Sequence, residues 1–144
     1  MLSITTEHAL RALSLLACTA DGGSLLGREL SERADVPATY LSKIMLTLRN
    51  GGYVAATRGL GGGYRLLRAP ETISLIDVVE LFEGPRTRPR CVLGYGTCSD
   101  ETPCGAHEAW CKVREHENAF LEKTRLSDIC RPPAPKKQVR RRTK

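Results

Sequence analysis

The chain has 144 residues, enough for one ordinary domain plus an extension, and its 41% hydrophobic content permits a packed core. Aromatics make up only 5%, so that core must come mainly from Leu, Ile, Val and Ala. The net charge of +6 is unevenly placed: residues 131–144 hold seven Lys and Arg and no acid, which leaves 15 basic against 16 acidic groups elsewhere, so a high pI alone is no argument for nucleic-acid binding.

The N-terminal segment needs a decision. Leu15-Leu16-Ala17-Cys18 has the form of a lipoprotein cleavage box, but Glu7, His8 and Arg11 interrupt what should be an apolar run and no basic region precedes them. We read Cys18 as a packed thiol on a helix face, and Cys130 in the same way. No segment approaches the roughly 20 apolar residues of a membrane span. The chain is expected to be cytoplasmic with no membrane partner, where clustered cysteines signal metal more often than disulfides.

In chain order, Thr5 or Thr6 caps a first helix running to about Ala20, with Ala9, Ala12, Leu13, Leu16 and Ala17 inward. Asp21-Gly22-Gly23 stops it, and a short second helix covers about Gly27 to Ala34. Pro37 opens a third helix, whose Leu41, Ile44, Met45 and Leu48 form one apolar face and whose other face carries Thr39, Tyr40, Ser42, Lys43 and Thr47. Strands at Tyr53–Thr57 and Tyr64–Leu67 flank the loop Arg58-Gly59-Leu60-Gly61-Gly62-Gly63. Ser74 caps a fourth helix with Asp77 in its first turn and Leu75, Val78, Val79 and Phe82 buried; Gly84-Pro85 ends it. Residues 84–105 have no periodicity and ask for a clamp. A fifth helix runs from about Ala106 to Thr124, with Ala106, Trp110, Val113, Phe120 and Leu121 as its apolar stripe. Arg131-Pro132-Pro133-Ala134-Pro135 ends the ordered chain, and the basic tail beyond is expected to be disordered, either touching phosphates or simply solvated.

Three helices followed by a hairpin is the order of a winged helix-turn-helix. The third helix must offer small polar and basic groups to a major groove, and Thr39, Tyr40, Lys43 and Thr47 fit that need. Glycines let a wing backbone approach phosphates, so Gly59, Gly61 and Gly62, with the charge of Arg58, complete a candidate contact to double-stranded DNA. The glycine run is no nucleotide loop: it lacks the Gly-Lys-Ser/Thr that a P-loop requires. No Ser–His–acid or paired-carboxylate arrangement stands out, and an enzyme is not expected.

The second constellation is Cys91, Cys98 and Cys104 followed by His107: three thiols and an imidazole within seventeen residues. Tyr40-Leu41, the wing Arg58 to Tyr64, the run Ile73-Ser74-Leu75-Ile76-Asp77-Val78-Val79 and the cysteine triad together resemble the IscR, NsrR and RirA group of bacterial winged-helix iron–sulfur transcription regulators, over about residues 2–130. The resemblance implies a mainly α fold with a small β-hairpin wing: a winged helix-turn-helix head (residues 1–83), a cysteine-rich cluster loop (84–105), a long dimerisation helix and its end (106–130) and a basic tail (131–144). It also implies a homodimer whose cluster state controls affinity for its operator, in response to iron, redox state or nitric oxide.

Cys91, Cys98 and Cys104 are the expected iron ligands, with His107 the expected fourth. The gap between Cys91 and Cys98 is one residue longer than in the IscR type. Relatives of the NsrR type use a residue near the partner's N-terminus, which here points to Glu7 or His8; Cys111, one helical turn past His107, is a further alternative. A neutral imidazole holds iron less tightly than a thiolate, which favours a labile 2Fe–2S cluster over a 4Fe–4S one. The competing reading is a winged-helix repressor with a structural zinc site and no redox sensing, since three Cys and one His also make a zinc site.

Overall fold

Helix α1 spans Ile4–Ala17 in the computed structural model, which describes residues 2–19, 22–59, 62–86 and 90–130. Its cap is Ser3, not Thr5 or Thr6: the Ser3 hydroxyl accepts from the Thr6 N–H at 3.2 Å. Thr6 is instead buried, and its hydroxyl donates to Glu83 Oε1 at 2.8 Å. The helix also ends three residues short of expectation, because the N–H groups of Cys18 and Thr19 turn back to the Ser14 and Leu16 carbonyls.

Helix α2 (Gly27–Ala34) closes on Asp35 in the left-handed region, φ 56°. Helix α3 (Ala38–Asn50) follows, with Pro37 just ahead of its first turn. Leu41, Ile44, Met45 and Leu48 are all buried, as their spacing predicts, and they meet Ala9, Ala12, Leu13 and Leu16 of α1 in one core. Strands β1 (Val54–Thr57) and β2 (Gly63–Leu66) pair antiparallel, Val54 opposite Leu66 and Thr57 opposite Gly63.

The wing is tied to the body. Leu25 and Tyr64 exchange backbone hydrogen bonds of 3.0 and 2.8 Å, which joins β2 to the segment ahead of α2. Two glycines make this possible. A Cβ at Gly63 would collide with the Leu25 carbonyl, and one at Gly62 with the Thr57 carbonyl.

Helix α4 (Leu75–Glu83) begins on a full capping box: Ser74 Oγ accepts from the Asp77 N–H, and the Asp77 carboxylate accepts from the Ser74 N–H. Its far end is bound to α1, since Glu83 Oε1 also accepts from the Ser3 N–H at 2.7 Å. Helix α5 (His107–Lys123) is the longest. After it the chain returns to the head: the Leu75 N–H donates to the Thr124 carbonyl at 3.0 Å and the Leu126 N–H to the Ile73 carbonyl at 2.9 Å. Leu126, 0% exposed, enters the head core, while Leu121 packs on Leu75 and Val79.

That return overturns the reading of Cys18 and Cys130 as separately packed thiols. The two are brought together as a pair, with Cα atoms 5.2 Å apart, because the segment after α5 folds back beside the end of α1. Of the apolar stripe expected on α5, Leu121 alone is buried; Val113 and Phe120 are 55% and 57% exposed. Among the described residues no helix is long and apolar enough to cross a membrane. The expected disordered tail lies outside the described residues.

Leu126→Ala should lower unfolding free energy by about 2–5 kcal/mol in urea titrations, as for a fully buried leucine. An unmoved midpoint would mean that the chain after α5 does not dock on the head.

Candidate metal centre and DNA-facing surface

The cysteine-bearing segment is held against α5 at successive heights. Near its start, Arg86 donates from Nε to Asn118 Oδ1 at 2.7 Å and from Nη2 to Glu117 Oε2 at 2.5 Å, both on α5. Its backbone N–H donates to Glu80 Oε1 of α4 at 3.0 Å. Further on, Trp110 donates its indole N–H to the Arg90 carbonyl at 2.9 Å. The sequence marked Trp110 only as an apolar anchor; its polar edge fixes the residue next to Cys91. Arg90 bridges to Thr97 and the Cys91 N–H donates to the Gly96 carbonyl, making residues 90–97 a tight turn.

Cys98 Sγ lies 3.2 Å from His107 Nδ1, and Cys111 Sγ lies 3.5 Å from His107 Nε2. The donor atoms of Cys98, His107 and Cys111 all fall within 4.8 Å of one another. Cys91 and Cys104, two of the expected ligands, lie outside that group of three. The Cys91 thiol is held below its ordinary value, chiefly by backbone N–H groups of Tyr95 and Leu93, with Cys104 and the Gly94 N–H assisting against burial. Burial pushes the Cys98 thiol up; Arg114 opposes this, while the charges of Cys111, Cys91 and Cys104 add to it. Cys98 therefore feels the other three sulfurs.

Two supporting groups were not foreseen from sequence. Asp100 Oδ1 accepts from His107 Nε2 at 2.8 Å, which leaves Nδ1, on the Cys98 side, as the free donor atom. Arg114 Nη2 lies 3.1 Å from Cys111 Sγ, one turn along α5, a spacing that would have revealed it had Cys111 been given weight. Glu7 is exposed on α1, and the His8 ring stands edge-on to Tyr40; neither joins the group of Cys98, His107 and Cys111.

On the other surface, Thr39 and Lys43 of α3 are exposed, and Thr47 is half-buried with its hydroxyl donating to the Lys43 carbonyl. Tyr40 departs from the expected outward face. It is half-buried, its hydroxyl meets Thr5 Oγ1, and its ring meets His8, so it braces α3 on α1. Arg58 and Gly59 are exposed at the wing and Gly62 is buried at its base; Gly61 lies outside the described residues.

A helix-bundle head with a short wing and a long final helix has known counterparts. The Rrf2 family, described as an iron-dependent transcriptional regulator, matches residues 2–132. The chain belongs to the Rrf2 family. An rrf2-like HTH-type transcriptional regulator of Rhodobacter capsulatus is 36% identical over 137 residues, covering 90% of this chain and 91% of that one. The HTH-type transcriptional regulator IscR of Cereibacter sphaeroides is 33% identical over 132 residues, covering 89% and 85%. The structure of CymR, the global cysteine regulator of B. subtilis, aligns with a TM-score of 0.75 at 25% identity, covering 90% of this chain and 95% of that one. This Rrf2 protein is a DNA-binding transcription regulator, and its relatives are named as regulators, not enzymes.

Trp110→Phe keeps an aromatic ring, smaller than the indole, and deletes the N–H donor to the Arg90 carbonyl. It should cost about 1 kcal/mol and speed hydrogen exchange at the Cys91 amide. Unchanged exchange there would show that the indole does not anchor the turn.

Proposed function

We propose that the chain acts as a homodimer whose affinity for a double-stranded DNA operator is set by an iron–sulfur cluster, held by Cys91, Cys98, Cys104 and His107. The observation that carries this reading is the grouping of Cys98, His107 and Cys111 at the start of α5, with the imidazole oriented by Asp100 and with Cys91 and Cys104 on the loop that returns to it. Soft sulfur donors suit iron, and backbone N–H groups directed at Cys91 Sγ favour the thiolate a ligand must be. The iron-dependent character of the family favours iron over structural zinc. When bound, such a cluster supplies a redox-active centre whose stability responds to oxidants, nitric oxide or iron supply. A single imidazole ligand favours the 2Fe–2S form.

The chain's own residues do the rest. The three loop thiolates close residues 84–105 onto α5, and Arg86 and Trp110 hold that loop from either side. Val113 and Phe120 offer α5 an exposed apolar face for a second copy. Thr39, Lys43 and Thr47 enter the major groove while Arg58 and Gly59 at the wing reach the backbone or minor groove, with Gly62 shaping the wing from its base. A second reading of the ligand set rests on Cys111: its distance to His107 and its guanidinium neighbour make it a competent fourth thiolate.

Protein purified without air should be coloured and contain iron and acid-labile sulfide; stoichiometric zinc without iron would end the reading. Cys98→Ser should abolish the visible absorption and change operator affinity. Equal protection of one promoter by iron-loaded and stripped protein would sink the coupling. His107→Ala should weaken cluster retention more than Cys111→Ala; the reverse order assigns the fourth position to Cys111. Arg58→Ala should weaken operator binding by about 1–3 kcal/mol in salt-controlled titrations.

A further inference from the structure

The six cysteines divide into two chemically separate groups. Cys91, Cys98, Cys104 and Cys111 are free thiols around the start of α5. Cys18 and Cys130 stand apart. Cys18 caps the C-terminal end of α1, and Cys130 is the last residue before the basic segment 131–144. They are 112 residues apart in sequence, yet their Cα atoms are 5.2 Å apart. That separation lies inside the roughly 4.4–6.8 Å that a disulfide spans without backbone movement.

The fold sets this distance without help from the bond. Cys18 is fixed by its N–H to the Ser14 carbonyl at the end of a buried helix. Cys130 closes a turn in which the Arg125 N–H donates to Asp128 Oδ2 at 2.7 Å and the Cys130 N–H to the Ser127 carbonyl at 3.3 Å. Leu126 and Ile129 pack this turn on the head core. These contacts, none of which involves a sulfur, hold the two residues within disulfide reach. Both side chains are also partly exposed, as a redox-responsive cysteine must be and an inert core thiol is not.

We propose that Cys18 and Cys130 are a second redox-modified site, a reversible dithiol–disulfide pair that responds to low-molecular-weight disulfides such as oxidised glutathione, independently of the four-cysteine centre. One thiolate attacks a glutathione sulfur, forming a mixed disulfide and releasing one glutathione thiolate. The other attacks the protein sulfur of that mixed disulfide, forming the Cys18–Cys130 bond and releasing the second. Two electrons pass from the two protein sulfurs to the glutathione disulfide, and the two thiol protons end on the two glutathiones. The bond welds the end of α1 to the segment that docks α5, closing a covalent loop that holds α2 to α5.

The test uses the full-length protein without air, equilibrated with oxidised or with reduced glutathione, then alkylated and mapped as peptides under non-reducing conditions. Oxidation should join the peptides holding Cys18 and Cys130, leave any visible absorption unchanged, and raise the thermal midpoint by about 10 °C. Excess reduced glutathione should reverse both changes in the folded protein, and Cys18→Ser and Cys130→Ser should each abolish the rise. The proposal is overturned if both cysteines stay separately alkylated or only glutathionylated, if the bond does not reopen under reduced glutathione, or if the rise persists in either variant. Should a variant fail to fold, the peptide map of the parent decides. Iron-free protein gives the same answer, so this result and the fate of the cluster reading are separable.

Discussion

Helix α5 is a rod clamped at one end, and the functional geometry follows from that clamp. Two backbone hydrogen bonds between residues 73–75 and 124–126 fix the direction in which the chain leaves the head. Leu126 in the core and Leu121 against Leu75 and Val79 fix the rotation. At 1.5 Å per residue, the donors near His107 then stand about 20 Å from the anchor. They sit on the part of α5 beyond the Arg86 tie, which joins Glu117 and Asn118 to Glu80 of α4, and Trp110 holds the returning loop farther out.

The four thiols do not share one environment. The Cys91 sulfur is prepared by the N–H groups of Tyr95 and Leu93, and Arg114 sits beside Cys111. The Cys98 sulfur is disfavoured as an anion by burial and by its neighbours.

The head was legible in the sequence because its determinants are local. The face of Leu41, Ile44, Met45 and Leu48 follows from helical periodicity, and the Ser74–Asp77 capping box lies within one turn. The glycines predicted a permissive wing tip, but not that Gly63 is required by the Leu25 carbonyl, which comes from a segment nearly forty residues earlier. What escaped is long-range by nature. Thr6 lost the capping role to Ser3 because its hydroxyl meets Glu83, and Tyr40 turned inward because Thr5 and His8 are there. Cys18 and Cys130 looked like isolated thiols because nothing in either local pattern announces the return of the chain after α5. Spacing singled out Cys98 and His107, but that Cys111 joins them, and that Asp100, Arg114 and Trp110 brace them, needed three dimensions.

These contacts also constrain how a change at the site can reach DNA. The end of α4 is bound to α1 through Glu83 with Ser3 and Thr6; α1 is bound to α3 through Thr5, His8 and Tyr40; the wing is bound to the segment before α2 through Leu25 and Tyr64. A head so cross-tied moves as one body. Reshaping the recognition surface from within would break several buried contacts at once, whereas tilting the part of α5 beyond the Arg86 tie breaks none of them. In a dimer joined through Val113 and Phe120, such a tilt alters the distance and angle between two rigid heads. Half-sites on B-DNA repeat about every 34–36 Å, so a small change in that distance is enough to move both recognition helices out of phase with the groove.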